Sequence, residues 1–91
     1  MVSPEEVEHV LMAHPQVEDA AVIGVPDVEW GEEVRAVVVR RADSVGEEEL
    51  IQYCQQKLAG YKRPRSVVFV DELPRNVMGK VLKRDLREQY G

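Results

Sequence analysis

The sequence predicts an α+β fold over residues 1–91: a small sheet of about three strands, helices packed on it, and a C-terminal turn and helix that carry Lys80. Three observations favour this class. Apolar residues at helical spacing alternate with short β-branched runs, in the order helix, strand, strand, helix, strand, helix. A chain of 91 residues supplies one modest core. No apolar run approaches the roughly 18 residues that cross a bilayer.

The first helix is predicted to start at Ser3, with Ser3 as the N-cap, Pro4 in the first turn and Glu6 as the capping-box partner. Pro15 is expected to end this helix. The side chains at helical spacing that would face the core are Val7, Val10, Leu11 and, less strictly, His14.

Two strands are predicted next. The apolar run AAVIGV, at Ala20–Val25, indicates a buried strand that a Pro26-Asp27 turn closes. The β-rich run EVRAVVVR, at Glu33–Arg40, indicates the second strand. Trp30 falls in the connection between them, where it is interpreted as a packed aromatic side chain.

A helix, a strand and a final helix are predicted in the second half. The helix begins near Ser44–Gly46, where three glutamates favour the positive end of the helix dipole, and ends at Gly60. Its inward stripe is Leu50, Ile51, Cys54 and Leu58. The run at Arg65–Val70 indicates the third strand, and a turn at Pro74–Gly79 precedes the last helix. The apolar residues of that helix, four apart, are Leu82, Leu86 and Tyr90.

Cys54 is the one cysteine, so the chain cannot form an internal disulfide, which fits a reducing cytoplasm. Its apolar setting predicts a small buried hydrophobe rather than a reactive thiol. His9 and His14 lie near the first helix without a cysteine or third histidine at ligand spacing, so no metal site is expected.

Charge is divided unevenly along the chain. Residues 1–49 hold thirteen Asp and Glu against three Arg, whereas residues 50–91 hold nine Lys and Arg against four acidic residues. The C-terminal half would therefore attract anions, although a solvated surface of mixed charge explains the same counts.

The segment LPRNVMGKV, residues 73–81, places Lys80 behind a flexible Met78-Gly79 pair. A primary amine on a long stem can reach a phosphate or a developing oxyanion. Gly79 permits backbone conformations closed to other residues and removes bulk, and Pro74 stiffens the entry, so the turn should project with Lys80 at its tip. A plain hairpin turn with a solvated lysine is the alternative, because the GxxxxGK[ST] pattern of a phosphate-binding loop is missing.

Set in order, these pieces resemble a known family. The stretches SPEEVEHVLMAHPQVEDAAVIGVPDVEWGE and LAGYKRPRSVVFVDELPRNVMGKVLKRDLRE are similar to the C-terminal lid domain of the adenylate-forming enzymes. That family includes acyl-CoA synthetases, luciferases and the adenylation domains of peptide synthetases. The most specific parts are Pro74–Lys80, as P-x-x-x-x-G-K, and Tyr61-Lys62-x-Pro64. Fatty-acyl and related acyl-CoA synthetases look closest.

The resemblance implies an ATP-dependent acyl-CoA ligase. A carboxylic acid, which the resemblance implies is a fatty acid, attacks ATP to give an acyl-adenylate and pyrophosphate. The thiol of coenzyme A (CoA) then displaces AMP. A large N-terminal domain binds the acid and ATP with its Mg²⁺, and the small C-terminal domain is a mobile lid with one orientation for each half-reaction. Lys80 matches the catalytic lysine of adenylate formation.

Further cofactor contacts are expected at Gly79, Lys62, Arg63 and Lys57. Gly79 adjoins the catalytic lysine. One residue of the basic patch Lys62, Arg63 and Arg65, or Lys57, would meet a phosphate of CoA in the second orientation of the lid. Solvation of a helix-to-strand connection explains the three basic residues equally well.

The first helix is capped within three residues of Met1, which suits a fragment cut from a longer protein. By the resemblance, the family's hinge and the glycine-bearing loop of the thioester step lie upstream of that helix. The isolated chain is therefore predicted to be inactive, and its expected partner is the enzyme's own N-terminal domain in the cytoplasm.

Two alternatives from other classes stay open. One is a free-standing anion- or nucleic-acid-binding module, and the other is an interaction domain with an inert lysine turn. Nucleic acid is not the expected partner, because the aromatic residues are not interleaved with basic ones and the chain as a whole is acidic.

Overall fold

The computed structural model describes residues 3–29 and 31–91. Its elements are α1 (Pro4–Met12), β1 (Val17–Asp27), β2 (Gly31–Arg40), α2 (Glu47–Gln55), a 3₁₀ turn (Gly60–Lys62), β3 (Ser66–Phe69) and α3 (Lys83–Tyr90). The order of helices and strands is the predicted one, and the α+β class is confirmed. Trp30, predicted to pack in the connection between the first two strands, lies outside the described residues.

The sheet has β2 at its centre. β1 runs antiparallel to β2, from the pair Val17–Arg40 to the pair Asp27–Gly31. β3 runs parallel to β2 along its other edge. Parallel strands need a long crossover, which the segment containing α2 provides. Within this sheet, β1 and β3 are therefore the two edge strands, and each presents backbone groups that β2 does not satisfy.

Helices cover both faces of the sheet. On one face α1 and α2 enclose a buried cluster formed by Val7, Leu11, Val17, Ala20, Val22, Ala36, Val38, Val45, Leu50, Cys54 and Val67. On the other face α3 covers a second cluster formed by Ala21, Ile23, Val25, Val37, Val39, Leu73 and Leu86. Neighbouring residues of β1 thus point into different clusters, which explains why AAVIGV is apolar throughout rather than alternating. No helix among residues 3–29 and 31–91 is long and apolar enough to cross a membrane.

β1 is longer than predicted, because Pro26 and Asp27 belong to the strand. The prediction of a turn at Pro26-Asp27 was therefore wrong. Proline is tolerated here because β1 is an edge strand, where a missing backbone N–H need not break the ladder. The turn follows at Val28 and Glu29, and Gly31 begins β2 with a φ of 79°.

The predicted capping box at α1 was also wrong. Ser3 is the N-cap with an extended backbone, but its side chain makes no cap hydrogen bond. Its hydroxyl donates instead to the Glu5 carboxylate at 3.2 Å. Glu6 turns away from the cap and forms an ion pair with Lys62 at 2.9 Å. Glu6 therefore binds Lys62, which is distant in the sequence, and not the N-cap of its own helix.

The second helix ends earlier than predicted, at Gln55 rather than Gly60. The next residues continue as a tightened turn, in which the backbone N–H groups of Lys57 and Leu58 both donate to the carbonyl of Cys54. A backbone carbonyl oxygen has two lone pairs, so it can accept both hydrogen bonds. The predicted inward stripe is confirmed, since Leu50 and Cys54 are buried and Ile51 and Leu58 pack against them.

Cys54 is buried in the cluster beneath α2. Removal from water raises the pKa of its thiol to about 11, because burial disfavours the charged thiolate. The thiol is therefore protonated at neutral pH and packs as a small hydrophobic group, as predicted.

The protection of Cys54 can be measured with Ellman's reagent. We expect the native chain at pH 8 to react roughly 100-fold more slowly than the urea-unfolded chain, because two pKa units lower the thiolate fraction by that factor. Equal rates in the native and unfolded chains would show that Cys54 is accessible and contradict this packing.

Candidate functional site

The predicted lysine turn is a tight hairpin, here called the Lys80 hairpin and comprising residues 74–82. Arg75 and Val81 form an antiparallel bridge across it. Beyond that bridge, the Asn76 N–H donates to the carbonyl of Lys80 and the Gly79 N–H donates to the carbonyl of Asn76, each at 2.9 Å. This pattern is a three-residue loop with a glycine in the left-handed region, which is a common hairpin connection. The backbone around Lys80 is therefore regular.

Asn76 fixes the tip of the hairpin from inside. Its side-chain oxygen accepts hydrogen bonds from the N–H groups of Met78, at 2.9 Å, and Lys80, at 3.0 Å. An asparagine that bonds to backbone groups two residues on is a recurrent turn device. Sequence reasoning missed this role, although an Asn at the start of a turn that contains Gly was the available signal.

Gly79 has a φ of 84°, a conformation that L-residues adopt only with strain. The prediction of an unusual backbone at this position is therefore confirmed. No atom of the described chain lies within 4 Å of the place where a Cβ would sit. The glycine is thus required by the backbone of the turn and not by close packing within the chain.

The Lys80 side chain is exposed, and it forms no hydrogen bond or ion pair with any residue from 3 to 29 or from 31 to 91. Val77 and Met78, at the tip, are also exposed, at 101% and 86%. An open groove beside the lysine is lined by Glu5, Glu8, Ala20, Lys80, Val81 and Lys83. The hairpin thus presents one cation and two apolar side chains outward, toward groups that the described chain does not supply.

The end of α3 that faces the hairpin adds to the positive potential there. α3 begins three residues after Lys80, at Lys83, and no side chain caps it. The N-terminus of a helix carries a partial positive charge from its free N–H groups. Lys80 and this helix end therefore act in the same direction on a nearby anion.

The other basic residues of the prediction lie elsewhere. Lys62 closes the 3₁₀ turn and is bound to Glu6 of α1. Glu5 and Glu8, which line the groove beside Lys80, are three residues apart and share a side of α1, whereas Glu6 does not. The structure therefore places Lys80 and Lys62 at different flanks of α1 and does not bring them together.

Arg63 and Lys57 are held more loosely than Lys62. Arg63 is half-buried just after the 3₁₀ turn, and no hydrogen bond or ion pair holds its guanidinium within the described ranges. Lys57 is exposed after α2, and its ammonium lies 5.0 Å from the ring centre of Tyr53. Such a contact at an exposed site is weak, so both cations can accept another partner.

The histidines have no metal-binding arrangement in the part of the chain that the structure describes, where no three His, Cys, Asp or Glu side chains converge on one point. His14 has a packing role. Its Nδ1 accepts the backbone N–H of Gln16 at 3.0 Å, and its ring meets the Tyr53 ring edge-on at 4.8 Å. The imidazole thereby joins the end of α1 to α2.

Fold and site together define a class: a small domain of three strands and three helices that carries an exposed lysine on a fixed hairpin. The family model of the AMP-binding enzyme C-terminal domain matches residues 6–80. The chain belongs to this family, and the resemblance seen in the sequence is confirmed.

Individual relatives agree with this assignment. The chain is 47% identical over 89 residues to the long-chain-fatty-acid–CoA ligase FadD13 of Mycobacterium tuberculosis, and 51% identical over 90 residues to 4-coumarate–CoA ligase-like 9 of Oryza sativa. These matches cover 98% of this chain but 18% and 16% of the relatives. The ATP-bound structure of MatB from Rhodopseudomonas palustris is similar with a TM-score of 0.93 and 47% identity, over 98% of this chain and 18% of that one. The chain thus spans less than a fifth of each of these relatives.

The requirement for glycine in the hairpin can be tested by replacing Gly79 with alanine. We expect Gly79→Ala to lower the free energy of unfolding by about 1–2 kcal/mol, the cost of placing an L-residue in the left-handed region. Gly60→Ala is the matched control, because Gly60 has no positive φ and, among residues 3–29 and 31–91, no atom beyond its two chain neighbours lies within 4 Å of the place where a Cβ would sit. Urea unfolding of both variants measures the difference, and equal stabilities would contradict the hairpin geometry.

Proposed function

We propose that this chain is the mobile C-terminal domain of an ATP-dependent acyl-CoA ligase and that Lys80 is its catalytic residue in adenylate formation. The family assignment supports the class of enzyme. The observation that carries the role of Lys80 is its exposure, without an intramolecular partner in the described ranges, on a hairpin whose backbone is fixed. The remaining four-fifths of the enzyme would supply the binding sites for ATP and the acid.

In the first half-reaction, a carboxylate oxygen attacks the α-phosphorus of ATP and pyrophosphate leaves. Negative charge gathers where the two anions meet, and an ammonium placed there stabilises the transition state more than the separated reactants. Lys80 suits this role because its charge is compact and its stem is long. The positive end of α3 behind it would add to the same field.

In the second half-reaction, the CoA thiolate attacks the acyl carbon and AMP leaves. Lys80 and Lys62 lie at different flanks of α1. One orientation of the domain would therefore present Lys80, and another would present the second basic region, which comprises Lys57, Lys62 and Arg63. Lys57 and Arg63 are the better candidates there for a phosphate of CoA. Lys62 is already bound to Glu6, so a phosphate would have to compete with a carboxylate.

The remaining components follow from the chemistry of the substrates. Mg²⁺ would arrive with ATP and lie against the rest of the enzyme. The acid is proposed to be a fatty or related carboxylic acid, because FadD13 is named for long-chain fatty acids. We place the enzyme in the cytoplasm, where Cys54 would stay reduced.

Replacing Lys80 with alanine in the full-length enzyme tests the catalytic role. We expect Lys80→Ala to slow acid-dependent ATP–pyrophosphate exchange by about 10²-fold or more, the size of losing one oxyanion donor. Thioester formation from a supplied acyl-adenylate should change little, because no phosphorus is attacked in that step.

Arg87→Ala is the matched control for Lys80→Ala, since it removes an exposed positive charge from the same region without touching the hairpin. It should retain both half-reactions. Equal losses in the two half-reactions of Lys80→Ala would refute the proposed division of labour.

Replacing Arg63 with alanine tests the second basic region. We expect the KM for CoA to rise on the order of fivefold, the size of one exposed charge-assisted hydrogen bond, while pyrophosphate exchange is unchanged. Steady-state kinetics with varied CoA measure the first effect. A loss of exchange at constant KM for CoA would instead place Arg63 in the first half-reaction.

A further inference from the structure

We propose that two ion pairs, Lys83–Glu8 and Arg75–Asp19, hold the Lys80 hairpin against the edge strand β1 and so position it for adenylate formation. These four are positioning residues, since none needs to touch the substrate. The inference rests on the proposed role of Lys80 and adds the residues through which the rest of the domain holds that lysine in place.

The first ion pair closes the open edge of β1. The backbone N–H and C=O of Val22 both bind side chains and not β2, so they lie on the outer edge of the sheet. The N–H donates to the carboxylate of Glu8 at 2.8 Å, and the C=O accepts from the ammonium of Lys83 at 2.7 Å. Glu8 and Lys83 are themselves 2.7 Å apart. One carboxylate and one ammonium thus tie α1 and the first residue of α3 to the backbone of the same residue.

Burial distinguishes this ion pair from an ordinary surface pair. The side chains of Glu8 and Lys83 are 16% and 30% exposed, whereas those of Arg84 and Glu88, on the same helix, are 87% and 69% exposed. Partial burial reduces screening by solvent and strengthens the attraction at a given distance. The Arg84–Glu88 pair is longer, at 3.7 Å, and joins two residues of a single helix.

The position of Lys83 in the helix indicates that its contact with Glu8, and not the stability of α3 itself, favours a lysine there. Lys83 is the first residue of α3, where a positive charge is disfavoured by the dipole of the helix. An acidic residue at that position would interact more favourably with the helix dipole. The carboxylate of Glu8 offsets the unfavourable placement, and it does so only while α3 stays docked on β1.

The second ion pair holds the other arm of the hairpin. The guanidinium of Arg75 donates to the carboxylate of Asp19, on β1, at 2.5 Å, and also to the carbonyl of Gly79 at 2.6 Å. Arg75 therefore links β1 directly to the residue before Lys80. Both groups are partly shielded, with side chains 41% and 26% exposed for Arg75 and Asp19.

The two ion pairs flank Lys80 along the chain, at Arg75 before it and at Lys83 after it. Each basic residue contacts β1, Arg75 through Asp19 and Lys83 through the Val22 C=O. A hairpin held on both arms cannot pivot on the sheet, so the backbone at Lys80 moves only when the whole domain moves. Catalysis depends steeply on such placement, since a misplacement of 1 Å can cost on the order of 10²-fold in rate. Because the hairpin is rigid, rotation of the domain would bring the Lys80 ammonium to a defined place beside the reacting groups.

Charge reversal in the full-length enzyme tests this proposal. We expect Lys83→Glu to lower kcat for pyrophosphate exchange on the order of tenfold or more, while thioester formation from supplied acyl-adenylate is retained. Lys83→Arg is the conservative variant, because its guanidinium can still donate to both the Glu8 carboxylate and the Val22 C=O, and it should retain most of the exchange rate. Glu8→Gln is a milder variant, because its amide oxygen can still accept the Val22 N–H, and it guards against loss of folding.

Arg84→Glu is the matched control, since it makes the same charge change one residue away on α3, in a pair that does not reach β1. It should leave the exchange rate within about twofold, as most surface substitutions away from such contacts do. Amide hydrogen exchange of Gly79 and Lys80 gives a readout besides activity. Both amides should exchange faster in Lys83→Glu and at the unaltered rate in Arg84→Glu.

Two outcomes would overturn the proposal: unchanged amide exchange in Lys83→Glu, or an Arg84→Glu variant that is as impaired as Lys83→Glu. Failure of the proposed function is distinguishable, because it would appear as full activity of Lys80→Ala measured in parallel. Amide exchange in the hairpin would still report on the two ion pairs in that case.

Discussion

The backbone of Val22, on the outer edge of β1, is the constraint on which the arrangement around Lys80 depends. Its N–H and C=O find no partner in β2, and leaving both without hydrogen bonds would be costly in a small domain. Glu8 and Lys83 satisfy them and each other. The hydrogen bonds to the Val22 backbone therefore also fix the position of Lys83, the first residue of α3, and with it the hairpin that carries Lys80 three residues earlier.

The division of the core into two clusters complements this edge contact. α1 and α2 cover one face of the sheet and α3 the other. The Lys80 hairpin enters α3, whereas Lys62 follows α2 and binds α1. The two basic regions are thus carried by elements on opposite faces of one rigid sheet. A domain of this kind can present different groups to a partner by rotating as a whole, without changing its own packing.

The order of elements and most core residues could be predicted from periodicity, because helix and strand spacing are local properties of the sequence. Local rules failed where a distant residue competed. Glu6 has capping-box spacing but binds Lys62, and Pro26 resembles a turn residue but lies in an edge strand. The same limit applied at the site. Lys80 and Gly79 were predicted from the turn and the family resemblance, yet the attachment of Lys83 to β1 depends on packing that no motif encodes.

The most direct test of the central claim is to add this chain to the separately expressed N-terminal domain of the enzyme and measure acid-dependent ATP–pyrophosphate exchange. The account predicts that the unaltered chain restores exchange and that Lys80→Ala does not, because only the ammonium on the hairpin is missing. Equal restoration by both chains would contradict the claim, since the domain would then assist adenylate formation without its lysine.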